Sequence, residues 1–278
     1  MYTFISKVGR KVCVMFKRNM STAVLCYLVM MCGLVLAGCG KKPGTQMFTY
    51  VKKDDATIEI TGFTDAAKES SFIIPTEIDG IKVTSVARES FRDCANIKEI
   101  SIAEGVETIG ENAFLGCYNL ETINFPSTIE SVGTNVVKNT IWEKNEYEQY
   151  GAVIINNILS SVQNVPSEYK LPDGIKKIAS GVFYGNTQLT KIDMGSSLEE
   201  IGTYAFAGCT GITELSIPSS VKNIGYGAFS QCTNLTVSVP DTVGQVGQEA
   251  FYKVKFVEYK GKLGGAYWGA AAGGTEKQ

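Results

Sequence analysis

The chain has 278 residues, 44% hydrophobic and 19% charged, so it can bury a sizeable core and its composition excludes the disordered class. Its formal charge is −2, but Lys7, Arg10, Lys11, Lys17 and Arg18 fall in residues 1–38 without any acid; the remainder carries 21 basic against 28 acidic residues, the wrong sign for a nucleic-acid binder. Histidine is absent, which removes the commonest general base, the Ser-His and Cys-His nucleophile pairs and every His-containing metal site.

The first element is an address. The basic stretch ending "MFKRN" precedes fourteen mostly apolar residues at 23–36, and "LAGC" follows at residues 36–39. That order is expected of an export signal, and small residues before a cysteine resemble the bacterial lipobox, in which Cys39 is lipidated through its sulfur and begins the mature chain. An ordinary cleaved signal and an uncleaved anchor stay open, although a span needs about 20 apolar residues. Met15 serves equally well as a start. Residues 40–45, "GKKPGT", have the composition of a flexible tether. Cys13, Cys26 and Cys32 fall within the expected signal peptide, residues 1–38.

Residues 46–80 read as an N-terminal cap with two strands, "ATIEITGF" and "SSFIIPTEIDG", placing Ile58, Ile60, Phe72 and Ile74 inward. A repeat follows. Aligned on one aromatic position, Phe91, Phe114, Val137, Phe183, Phe206, Phe229 and Phe251 step by 23, 23, 46, 23, 23 and 22 residues. Each unit divides in two. "IGENAFLGC" reads as a compact turn or short helix, and "LETINFP" as a strand with Ile123 and Phe125 inward, closed by Pro126, which cannot continue a ladder. One such coil cannot bury enough apolar surface to offset its chain entropy, so several must stack. The expected fold is a β-rich α/β solenoid: a right-handed leucine-rich-repeat stack of 23-residue units with a parallel sheet on one face. Its blocks span residues 81–139 and 177–260.

Between the blocks, residues 140–176 read as a divergent, hairpin-bearing insert, with strands over Ala152 to Ile155 and Ile158 to Val162 around an Asn156-Asn157 turn. The insert is either a protruding recognition element, offering Trp142, Tyr147 and Tyr150, or a structural interruption. In the second block the 22-residue step predicts a local irregularity near Thr236 and a kink or twist. Residues 261–278 begin as an end cap through Tyr267 and Trp268 and finish as a frayed tail.

Cys94, Cys117, Cys209 and Cys232 recur three residues after the Phe. They read as a buried small-residue ladder, with Cys94–Cys117 and Cys209–Cys232 disulfides open because coils stack about 4.8 Å apart; the spacing lacks the close Cys pairs of structural zinc sites. Tyr118, Tyr184, Tyr204, Tyr226 and Tyr252 sit at different offsets from the Phe and are not expected to form one stripe. Glu199-Glu200 and Asp54-Asp55 form neither a calcium loop nor a paired-carboxylate site, and no cofactor, metal or catalytic residue is expected. The candidate binding face is the outward side of the strands: Glu99, Ser101, Thr122, Asn124, Lys191, Asp193, Glu214, Ser216 and Ser238.

The "IG..AF..C..L..I.IP" copies, the residue 50–83 segment and the "WEKNEYEQYGAVIINNIL" interruption together resemble the BspA-like leucine-rich repeat surface proteins of bacteria, over about residues 46–268. The resemblance implies export and a binding role, since some members act as adhesins for host matrix proteins or between cells. The expectation is a lipid-anchored envelope protein binding a protein or glycan, with a ligand-free structural role as the alternative.

Overall fold

The computed structural model describes residues 47–64, 69–259, 269–270 and 273–274; the signal, Cys39, the tether, Tyr267 and Trp268 lie outside them. The chain from Gln46 to Gln278 is one compact unit, and all residues of its two apolar cores lie between Phe48 and Tyr259. It is a solenoid, and the aromatic period builds it. Phe91 and Phe114 stack at 5.4 Å with planes 3° apart, and Phe183, Phe206, Phe229 and Phe251 form a second column at 4.9, 5.2 and 5.5 Å. Every one of these rings is buried.

Three hydrogen-bonded ladders hold successive coils together. In the first, the expected strands pair in parallel: Glu99 with Thr122 and Ser101 with Asn124 in one block, Glu214 with Thr236 and Ser216 with Ser238 in the other. The second runs through strands of only two residues, such as Thr108–Ile109 on Ser131–Val132 and Glu200–Ile201 on Asn223–Ile224. The "IG" of each repeat therefore ends a strand, a correction to its reading as turn or helix, and the solenoid has a parallel ladder on a second face.

The third ladder runs through the turns. Residues two before and two after the aromatic position take left-handed backbone, as at Glu89 and Asp93 (both φ 57°) and at Asn135 (54°) and Asn139 (63°). Alternating handedness points every second peptide the same way along the stack. Accordingly the N–H groups of Asn112, Phe114 and Gly116 donate to the carbonyls of Thr134, Val136 and Lys138 in the next coil at 2.9, 2.8 and 2.9 Å. A further row comes from the asparagine two residues after each cysteine: the Asn119 and Asn234 amides donate to Ala95 and Thr210 carbonyls one coil back, at 2.7 and 2.8 Å.

The four repeat cysteines are free thiols. Cys117, Cys209 and Cys232 donate to the carbonyls of Phe91, Phe183 and Phe206 at 2.9, 3.0 and 3.0 Å. Burial pushes Cys117 and Cys232 up to about 12 and Cys209 to about 11; Cys94, half-buried, is also raised. Because the thiolate is the reacting species, an alkylating reagent at mildly alkaline pH is expected to label Cys94 first in the folded Gln46–Gln278 unit. Mass spectrometry reads the order, and equal labelling of all four would contradict it.

At the N-terminal end, Phe48–Lys52, an unforeseen strand, pairs antiparallel with Ile58–Phe63 and closes the first core. The 22-residue step is absorbed at Thr236, where pairing passes from Thr213–Thr236 to Glu214–Thr236. The stack does not kink there: Phe229 and Phe251 lie 3° from parallel. Nor is the tail wholly frayed, since Gly273–Gly274 pairs in parallel with Val257 and Glu258.

Residues 141–150 form a helix, the single one of its length among the described residues. Thr140 caps it by accepting from the Glu143 N–H at 2.9 Å, Glu143 reaches back to the Asn139 N–H at 2.9 Å, and Gly151 closes it at φ 69°. Removing the cap in Thr140→Ala is expected to cost about 0.5–2 kcal/mol by denaturant unfolding; no change would contradict the capping role. The strands Ala152–Ile155 and Ile158–Val162 follow as an antiparallel hairpin. Val153, Ile155 and Ile158 enter the first core and Ala152 and Leu159 the second, so the hairpin is a seam between the two blocks, not a protrusion.

Candidate functional site

All nine residues of the expected face point outward; Ser101 and Ser238 are half-buried and the others exposed. The structure brings them together only in patches. Glu99, Ser101, Thr122 and Asn124 share one three-stranded sheet, Lys191 and Asp193 a two-stranded one, and Glu214, Ser216 and Ser238 a third sheet. Several of these side chains already serve each other: Asn124 donates to Ser101 at 3.0 Å, Ser71 donates to Glu99 at 3.4 Å, and Lys191 lies 3.8 Å from Glu168.

Of the insert aromatics, Tyr150 alone is turned to solvent, at 61% exposure. Trp142 packs edge-on against Phe125 at 5.7 Å, and the Tyr147 hydroxyl donates to Ser161 at 2.8 Å. The surface tyrosines need one correction. Tyr204 and Tyr226 are one position apart in their own coils, and stacking brings the rings edge to face at 5.2 Å; Tyr226 then donates to Glu249 at 2.9 Å. Hydrogen bonds to Tyr204 and then Glu249 raise the Tyr226 phenol above its usual range. Glu199 and Glu200 are answered one coil back by Lys176 at 3.0 Å and Lys177 at 2.8 Å, so they are ladder ion pairs. Among the described residues no three Cys, Asp or Glu side chains gather as a metal site.

The feature that stands out from the regular stack is the seam. The sheets containing Thr122–Asn124 and Ser131–Val132 end there, and new sheets begin at Glu168–Lys170 and at the hairpin. A cavity of about 420 Å³ opens where they break. One wall is the turn of the last coil in the first block, with Thr134, Asn135, Val137 and Lys138; the opposite wall is the first turn of the second block, with Ser180, Gly181 and Val182. Glu143 and Tyr147 of the helix and Ser160 and Ser161 of the hairpin complete it. Ser160 stands 23 residues after Val137, where other coils carry Phe, so the aromatic column is interrupted and the space is left polar.

Burial raises the Glu143 carboxyl, opposed by its bonds to the Asn139 N–H and the Tyr147 hydroxyl and by the charge of Lys138. Burial likewise pushes the Tyr147 phenol up to about 12. The cavity thus offers hydroxyls, one carboxyl and one ammonium group, with no nucleophile paired to a base. Sequence reading named Tyr147 but passed over the rest. The signal was present in Thr140-x-x-Glu143, a capping box that announces a helix, and in the serine at an aromatic position.

Comparison with known proteins follows this geometry. The sequence model of the family described as BspA type leucine rich repeat region (6 copies) matches residues 56–142, 84–167 and 154–260. Among solved structures, the chain is similar to the Treponema pallidum leucine rich repeat protein TpLRR, with 22% identity, 79% of this chain and 86% of that chain covered, and a TM-score of 0.33. It is also similar to a leucine rich cell surface protein of Faecalibacterium prausnitzii A2-165, with 17% identity, 81% and 96% covered, and a TM-score of 0.34. The pneumococcal vaccine antigen PcpA is 16% identical, with 84% and 85% covered and a TM-score of 0.40. No curated protein matches. With the family's repeats matched across residues 56–260 of a stack whose aromatics recur at the family's period, the chain belongs to the BspA-type leucine-rich repeat family.

Proposed function

We propose that this chain is a non-catalytic binding module of the bacterial cell envelope, exported through its leader, anchored by a lipid on Cys39 and recognising a protein or glycan partner. The observation that carries the binding role is the seam cleft: a solenoid that otherwise satisfies its backbone coil by coil opens a polar cavity of about 420 Å³ at one place. Its size falls within the range of ligand sites, about 300–1,000 Å³. The outward strand residues flank it as a secondary surface, small and polar, suited to weak or multivalent contact rather than to a hot spot.

The test is a screen of the Gln46–Gln278 unit against matrix proteins, mucin and a glycan array. Saturable binding lost in a variant carrying Thr122→Ala, Asn124→Ala, Glu214→Ala and Ser216→Ala assigns the face, whereas loss in Ser180→Trp assigns the cleft. No binding anywhere would overturn the reading in favour of a structural envelope protein. Cys39→Ala should release the full chain from membranes, and continued association would remove the lipid anchor.

A further inference from the structure

The two walls of the cleft are the broken ends of the turn ladder, and they are complementary. In every other block interior, the N–H groups at the aromatic position and two residues before it donate to the next coil, as Asn112 and Phe114 do to Thr134 and Val136, and Tyr204 and Phe206 to Tyr226 and Ala228. On the seam wall the corresponding donors are Asn135 and Val137, and neither N–H has a carbonyl partner among the described residues. The third donor of that turn, the Asn139 N–H, is taken by the Glu143 carboxylate at 2.9 Å. Facing them are the Ser180 and Val182 carbonyls, at the positions where Thr203 and Ala205 accept from Gly181 and Phe183; among the described residues no backbone N–H reaches either.

One wall therefore presents donors two residues apart, and the other presents acceptors two residues apart. A sugar or a simple anion matches one wall at most. An extended polypeptide matches both, because its backbone offers carbonyls along one edge and N–H groups along the other at a two-residue repeat, the logic of strand addition to an open sheet edge. We infer that the cleft binds an extended peptide segment of a partner protein, inserted between the Asn135–Val137 donors and the Ser180–Val182 acceptors as the missing turn of the solenoid. Small residues on the floor, Ser160 and Ser161, restrict the inward side chain of that segment to small ones. This rests on the reading of the chain as a binding module and names the partner class.

The probe is a display library of linear decapeptides selected on the Gln46–Gln278 unit, with the best peptide remade bearing N-methyl groups on alternate residues. Selected peptides are expected to weaken about tenfold or more on N-methylation, the scale of losing one backbone hydrogen bond to the cleft wall. Amide exchange at Asn135 and Val137 is expected to slow about tenfold on binding. Ser180→Trp, which fills the mouth, should abolish capture. N-methylation and exchange are read on the unaltered protein, so a folding defect in the Trp variant does not blur the outcome. Failure to select any peptide, N-methylated peptides that bind equally, or unchanged exchange at both amides would overturn the inference. A glycan partner from the earlier screen that ignores Ser180→Trp would leave the binding role intact and still sink this one.

Discussion

Phe206→Ala is expected to cost about 3–5 kcal/mol of folding stability, read by denaturant unfolding of the Gln46–Gln278 unit. Phe206 is fully buried, between Phe183 at 4.9 Å and Phe229 at 5.2 Å, with rings 6° and 1° from parallel. Truncation removes two ring contacts at once and leaves a cavity that neighbours cannot fill, because each is fixed by its own ladder. The same change at Tyr118, 59% exposed, should stay within about 0.5 kcal/mol. A Phe206→Ala loss of that small size would mean the column does not carry the stack.

Gly225→Ala is the second large effect, about 3 kcal/mol or more. The glycine follows the inward Ile of its repeat and lies on the coil below: an added Cβ would sit 2.7 Å from the Thr203 nitrogen and 2.8 Å from the Gly202 carbonyl carbon. Both are backbone atoms held in ladders, so relief requires moving a coil. Gly244→Ala is the control. Its Cβ would find the Lys222 oxygen at 3.9 Å, ordinary contact, and the substitution should be neutral or stabilising by up to about 1 kcal/mol. Equal effects at the two glycines would show that conformational freedom, and not coil-on-coil approach, explains the repeated Ile-Gly.

These two positions also show how much was legible in the sequence. The phenylalanine period and the alternation of "LETINFP" were enough for the solenoid, its first ladder and the outward face, because burial of one large ring per coil leaves a mark at fixed spacing. The second ladder left little trace: strands such as Thr108–Ile109 are two residues long, too short to alternate. The left-handed turn positions were masked because Gly fills them in Gly116, Gly185 and Gly208 while Asp93, Gln231 and Lys253 fill them in sister coils. The helix over Ile141–Tyr150 buries no residue fully, so it has no apolar stripe and only its caps betray it. The cleft was the least legible of all, since it is made by what one turn lacks.

Amide hydrogen exchange, resolved residue by residue in the native Gln46–Gln278 unit, tests the stacked-coil account most directly. The account predicts strong protection at Phe91, Phe114, Phe183, Phe206 and Phe229, whose N–H groups bond to the next coil, and fast exchange at Asn135 and Val137 on the seam wall. Protection at Asn135 and Val137 equal to that at Asn112 and Phe114, or free exchange along the phenylalanine amides, would contradict it.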